Sequence, residues 1–231
     1  MSSADSIIVL DIDGTLTDSV RPHQIAFEQA LRSFPFPALS TDWGQYQHHS
    51  DSGIFYEAWE LAGFNGKPDL IQLEEQYRLA YDQVLAQHPV TPVAGASAFI
   101  ASLSQTWGIV FATGSLRSGA LHKLSVIGID PDDFILITAS EFHTREEIVQ
   151  QAVQAGSLRY QIRQPQRVIS IGDGIWDLKT ARNLGYEFLG IGEGTKAEQL
   201  RTSGATVYAD FNDLLADYRQ IFSAQNSGET R

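Results

Sequence analysis

The sequence predicts an α/β protein: a parallel sheet flanked by helices, interrupted near its start by a helical insert. Three observations carry this. Short apolar runs recur at Ile7 to Leu10, Ile109 to Ala112, Phe134 to Ile137, Val168 to Ile171 and Phe188 to Ile191, and each ends in a polar, acidic or glycine-rich patch. Helix-like segments stand between or beside them, at Gly95 to Ser104, Arg117 to Ile127, Arg145 to Ile162 and Ile175 to Leu184. Strand and helix in tight alternation read as a parallel sheet. The interval from Val20 to about Pro92 contains no such run, and the elements it suggests are all helices.

Taken in order, the first run is the most informative, because Ile7 to Ser19 reads IIVLDIDGTLTDS. Its apolar residues suit a strand buried on both faces. Gly14 ends it, which puts Asp11 and Asp13 at its carboxyl end. Residues two apart in an extended chain point the same way, so the two carboxylates are expected to converge. Like charges at close range require a cation or a shared proton. A hard divalent cation with oxygen ligands, Mg2+ first among them, meets that need. The insert then reads as helices at Pro22 to Phe34, Ile54 to Ala62 and Leu70 to Ala86. Pro22 suits a first helical turn, and Ala26, Phe27, Ala30 and Leu31 give one apolar face. Pro89 and Pro92 flank the return to the alternating pattern. A short strand at Thr206 to Tyr208 and a helix at Asn212 to Phe222 close the chain.

Among the later strand ends, Thr113-Gly114-Ser115 before a helix offers a hydroxyl and free amides to an anion, or serves only as a cap. Gly172-Asp173-Gly174-Ile175-Trp176-Asp177 puts two acids one helical turn apart, so both can face one pocket. The plainer reading makes Asp173 the helix N-cap and Asp177 a first-turn acid favoured by the helix dipole. Trp176 reads as a packing or rim residue.

Composition bounds the function. The chain has 231 residues and a formal net charge of −12, which disfavours nucleic acid or an anionic membrane as partner. It has no cysteine, so disulfides and thiolate chemistry are excluded. No apolar run reaches membrane-spanning length, and no signal peptide is evident, so a cytoplasmic protein is expected.

With these motifs in hand, the sequence resembles the haloacid dehalogenase superfamily. Asp11-Ile12-Asp13-Gly14-Thr15-Leu16 is similar to that family's first motif, an apolar strand followed by D-x-D-x-T. The resemblance implies a Rossmann-like core of residues 1–19 and 92–231 and an α-helical cap of residues 20–91. It implies that Asp11 is a nucleophile and Asp13 a general acid and base. The second aspartate, absent from the dehalogenases proper, points to phosphoryl transfer. Thr113 and Gly114 would bind the transferred phosphate. Asp11, the main-chain carbonyl of Asp13 and Asp173 would hold Mg2+, with Asp177 bound through water or bracing that shell. The family's third motif carries a Lys, less often an Arg; Arg145 stands nearest that place, with Lys123 as a rival earlier in the chain. Its plainer alternative is a solvated helix-start residue paired with a glutamate. His23 falls where related caps often carry a histidine, and His48 to Gly53 reads as a loop dipping toward substrate.

The reading that follows is a Mg2+-dependent phosphatase for a small phosphorylated metabolite, monomer or homodimer, closest to the phosphoglycolate phosphatase-like branch. A sugar phosphomutase of the β-phosphoglucomutase type and a non-catalytic binding module remain the alternatives.

Overall fold

The computed structural model describes residues 4–103 and 107–222. In chain order its elements are β1 (Ser6–Leu10), β2 (Thr17–Asp18), α1 (Val20–Arg32), α2 (Asp51–Leu61), α3 (Leu70–Leu85), β3 (Thr91–Pro92), α4 (Ala96–Ser102), β4 (Trp107–Ala112) and α5 (Arg117–Val126). They continue with β5 (Ile135–Ile137), α6 (Arg145–Arg159), β6 (Val168–Gly172), α7 (Ile175–Leu184), β7 (Glu187–Ile191), α8 (Gly194–Thr202), β8 (Thr206–Tyr208), α9 (Phe211–Ala216) and α10 (Tyr218–Phe222).

Six strands form one parallel sheet in the order β5-β4-β1-β6-β7-β8. β1 lies inside it and is buried along its whole length, as a run of four aliphatic residues requires. Alternation sends Ile8 and Leu10 to one face and Ile7 and Val9 to the other. The first face packs on Phe99, Leu124, Phe211 and Leu214; the second on Ile148, Val149 and Ala152. The chain runs outward from β1 to β4 and β5, then returns to β6 on the other side. The order therefore reverses at β1, and ligands in such sheets collect at the carboxyl ends beside that reversal.

The insert has a core of its own, in which Phe27, Phe34, Phe55, Tyr77 and Tyr81 pack together. Its two connections to the sheet run side by side: β2 and β3 form an antiparallel ribbon pairing Thr17 with Pro92 and Asp18 with Thr91. Pro92, expected in a plain linker, sits in this ribbon, and a two-stranded ribbon is all edge, where a proline is tolerated.

Several boundaries depart from the sequence expectation. Position 104, the expected end of α4, lies outside the described residues. The helix expected at Asn212 to Phe222 is two, broken at Asp217, whose carboxylate accepts from the Tyr208 hydroxyl at 3.1 Å. His48 to Gly53 is only partly loop: Ser50 caps α2, its Oγ accepting from Gly53 N at 3.2 Å, and Asp51 to Gly53 form the first turn. No described helix is long and apolar enough to cross a membrane.

Candidate active site

Asp11 is the first residue beyond β1, and its amide still donates to Ile171 O at 3.0 Å, which fixes it beside β6. The side chain is buried at 6% exposure. Its Oδ2 accepts from Thr15 Oγ1 at 3.1 Å and its Oδ1 from Arg145 Nη1 at 3.1 Å. The same Nη1 donates to Asp177 Oδ1 at 2.8 Å, and Arg145 Nε donates to His49 O at 2.7 Å. Arg145 is the first residue of α6, held by a capping box of Thr144 and Glu147. Its guanidinium passes close over Gly114, where a Cβ would lie 2.9 Å from Nη2 and 2.7 Å from His49 O. Only glycine leaves that path open.

Asp177 stands in the first turn of α7, with Oδ2 accepting from Gly174 N at 3.0 Å. Asp173 follows β6, and its Oδ2 accepts from Lys196 Nζ at 2.7 Å. Gly14 turns beside it with φ of +78°, and a Cβ there would come within 2.3 Å of Asp173 Oδ2. Both the backbone conformation and the contact exclude a side chain. One carboxylate oxygen from each of Asp11, Asp173 and Asp177 lies within 4.8 Å of the others, and all three residues are buried. A buried cluster of hard oxygen donors with more acids than cations fits a divalent cation such as Mg2+.

Asp13 turns to a different set. Its Oδ1 lies 2.6 Å from Lys123 Nζ and accepts from Ser19 Oγ at 2.6 Å; its Oδ2 accepts from Lys123 Nζ at 2.8 Å and from Ser115 Oγ. Lys123 is wholly buried on the inner face of α5. His23, from α1, extends this set: its Nδ1 lies 2.9 Å from Tyr77 Oη and its Nε2 3.1 Å from Asp51 Oδ1. Asp51 Oδ2 in turn accepts from Leu116 N at 2.8 Å. Insert and sheet therefore meet through buried polar bonds, and a cavity of about 330 Å3 lies between them.

The two aspartates differ in proton affinity. Burial, then the neighbouring Asp177 charge, pushes Asp11 well above the carboxylate range, against the pull of Arg145. Burial also raises Asp177, to about 6, with Arg145 opposing and Asp173 adding. Asp173 is raised by burial, offset in part by Lys196. Burial acts on Asp13 as well, but the Lys123 and His23 charges and the bonds from Lys123 and Ser115 outweigh it and hold Asp13 below its ordinary value.

The structure brings Asp11, Asp173 and Asp177 together, as the strand-end argument expects, and sets Arg145, named through the family resemblance, beside them. The Asp13 carboxylate does not join them. Two local expectations are corrected. The N-cap of α7 is Gly174, so Asp173 is free to face the cluster. Thr113 to Ser115 do not lead straight into a helix: α5 starts at Arg117, Thr113 Oγ1 accepts from Ser115 N at 3.1 Å, and the Leu116 amide is taken by Asp51. His23 stands at the site, where the resemblance puts it, and both its ring nitrogens have partners. Arg145 and Lys123 prove not to be rivals, because each serves a different aspartate. Lys196 escaped the sequence reading, while Ser115 and Asp51 fell inside the stretches Thr113 to Ser115 and His48 to Gly53 without a role of their own. Lys123 shares the face of Gly119, Ala120 and Leu124, and a lysine at that spacing in a core helix is the signal that could have found its partner.

A family profile described as haloacid dehalogenase-like hydrolase matches residues 6–185. No curated protein matches the chain. Among solved structures, a hydrolase from Pseudomonas syringae is similar at TM-score 0.70 and 24% identity, over 96% of this chain and 100% of that one. CbbY from Rhodobacter sphaeroides in complex with phosphate superposes at TM-score 0.66 and 15% identity, over 90% and 96%. A putative β-phosphoglucomutase from Bacteroides vulgatus does so at TM-score 0.67 and 16% identity, over 96% and 92%. Likeness at these identities speaks for the fold alone.

Proposed function

The chain belongs to the haloacid dehalogenase-like hydrolase family, and from that premise we propose that it hydrolyses a phosphate monoester of a small metabolite through an aspartyl phosphate. One observation carries the reading: a buried carboxylate, Asp11, has a guanidinium bonded to it and two more acids beside it, next to a cavity whose wall includes Gly114, Arg145 and Asp173.

In the proposed reaction an Asp11 oxygen attacks phosphorus in line, and the bond to the leaving alcohol breaks. Arg145 lies where it can share the negative charge of the phosphoryl group, which a planar, permanently charged fork does well. Thr113 Oγ1 and the Gly114 amide are the candidate donors to the remaining phosphoryl oxygens. Asp13 gives a proton to the leaving oxygen, then takes one from the water that cleaves the aspartyl phosphate. Held ionised by Lys123, it is ready for the second task; the first requires that contact to loosen. Asp11, Asp173 and the Asp13 carbonyl, braced by Asp177, would hold Mg2+, which supplies positive charge beside the phosphoryl group and keeps Asp11 ionised. The helical insert serves as the cap, with His23, His49 and Asp51 at the cavity wall excluding bulk water.

The test is a screen of phosphorylated metabolites with released phosphate as readout, run with Mg2+ and after chelation. Release from at least one monoester, lost on chelation, is expected. Phosphate retained while sugar phosphates isomerise would favour a mutase instead.

A further inference from the structure

Resting on the phosphatase reading, we infer that the cavity takes monoesters of a neutral, ring-bearing alcohol and rejects those whose alcohol carries a second anionic group. The charge inventory of the wall comes first. Besides Asp13 and Asp173 it is lined by Asp42 and Asp51. Among the described residues its only permanent cations are Arg145 and Lys196. Arg145 is spent on Asp11, Asp177 and the His49 carbonyl, and Lys196 on Asp173 at 2.7 Å. Burial and the Arg145 charge lower the proton affinity of His49, and His23 is engaged by Tyr77 and Asp51. Asp13 is balanced by the buried Lys123, but Asp42 and Asp51 have no Lys or Arg partner among the described residues, so a carboxylate or second phosphate on the leaving group would meet acid with no free cation, an arrangement that selects by repulsion.

The apolar part of the wall supplies the other half. Trp43 and Trp176 are half-buried and line the cavity. Each packs on a neighbour in the same wall: Trp43 on Phe27 with centroids 5.5 Å apart, and Trp176 on His49 at 5.2 Å, with Lys196 Nζ 5.4 Å from the Trp176 ring centre. Trp43 sits in a short turn pinned by Asp42, which accepts from Gly44 N at 3.3 Å. Fixed aromatic faces of this kind bind flat rings at little entropic cost. The cavity volume, about 330 Å3, lies at the small end of ligand pockets and suits a single ring system with its phosphate. Phosphoglycolate, whose leaving group carries a carboxylate, is a poor fit.

The decisive pair is phenyl phosphate and 4-carboxyphenyl phosphate, which differ by one carboxylate. With Mg2+ present, kcat/KM is expected to be at least about ten-fold higher for phenyl phosphate, and so is its affinity for Asp11→Asn by calorimetry, since like charges brought together are penalised. Trp43→Leu or Trp176→Leu should narrow the preference for phenyl phosphate over glycerol phosphate by roughly five-fold, the scale of an aromatic contact. Equal rates for the carboxylated and plain esters, or an unchanged preference in both tryptophan variants, overturns the inference. So does a preference for the carboxylated ester that vanishes in Lys196→Met, which would make that ammonium a receptor for anions. If neither ester is hydrolysed but phenyl phosphate still binds about ten-fold tighter, the phosphatase reading falls and the cavity inference stands.

Discussion

Asp11 and Asp13 are neighbours but one in the chain, yet they live in opposite electrostatic surroundings. Asp11 shares its site with Asp173 and Asp177, and among the described residues only Arg145 and the half-exposed Lys196 answer those three acids. Asp13 has a buried lysine to itself, with two serine hydroxyls beside it. One half of the site is short of positive charge and the other is balanced. The strand alternation that should have made the two carboxylates converge ends with β1 at Leu10, before either of them, and the irregular stretch that follows turns their side chains to different partners. The difference separates two tasks: an unbalanced cluster calls for a cation, and a balanced carboxylate stays ionised, ready to take a proton.

The largest expected effect breaks the first half. Asp11→Asn should lower phosphate release by about 10^4-fold or more, the scale seen when a nucleophile is removed. Because Asp11 is buried among like charges, the amide should leave the melting temperature unchanged or raise it. Full activity in this variant would remove Asp11 from the chemistry.

The balanced half should break differently. Lys123→Met leaves Asp13 buried without its counter-ion, at a cost of roughly 3–5 kcal/mol in unfolding free energy. Adding Asp13→Asn should recover most of that loss. Denaturant unfolding of the two single variants and the double variant measures the coupling, and simple additivity would show that the pair does not act as a unit.

How much of this contrast could be read from the chain depends on the kind of element involved. Asp11, Asp173 and Asp177 were legible because parallel strands and the helices after them deliver their ends to one rim, wherever the loops go, whereas Arg145 was reached through the family resemblance. Lys123 lay on a readable helical face, but naming its partner needs the packing of α5 under β1 and the insert. Lys196 stands in a first turn with no local signal at all. Trp43 and Asp42 fall in an irregular stretch, where neither period of regular structure assigns a direction. The fold class, resting on alternation over many residues, survived local errors such as the caps at Asp173 and Ser115.

A smaller effect sharpens the comparison through pH. Asp177 is raised from 3.8 to about 6, so below that value it takes up a proton that a cation must displace. In the metal-free protein such a raised carboxyl adds stability below its ordinary value, and that stability is lost as pH rises through about 6. Added Mg2+ should act in the opposite sense, raising the melting temperature near pH 7.5 and much less near pH 5. At a hundred-fold excess over Kd the gain is about 2.7 kcal/mol, or roughly 5–10 °C for a chain of this size. An equal shift at both pH values would mean that these acids do not hold the ion. The smallest effect belongs to Lys196→Met: its side chain is 46% exposed, so the change in stability should stay within about 1 kcal/mol.

The most direct test of the charge imbalance is calorimetric titration of Mg2+ into the intact chain and into Asp173→Asn near pH 7.5. One saturable site in the first and its loss or severe weakening in the second is the expected result. No saturable binding to the intact chain, or undiminished binding to Asp173→Asn, would contradict the account.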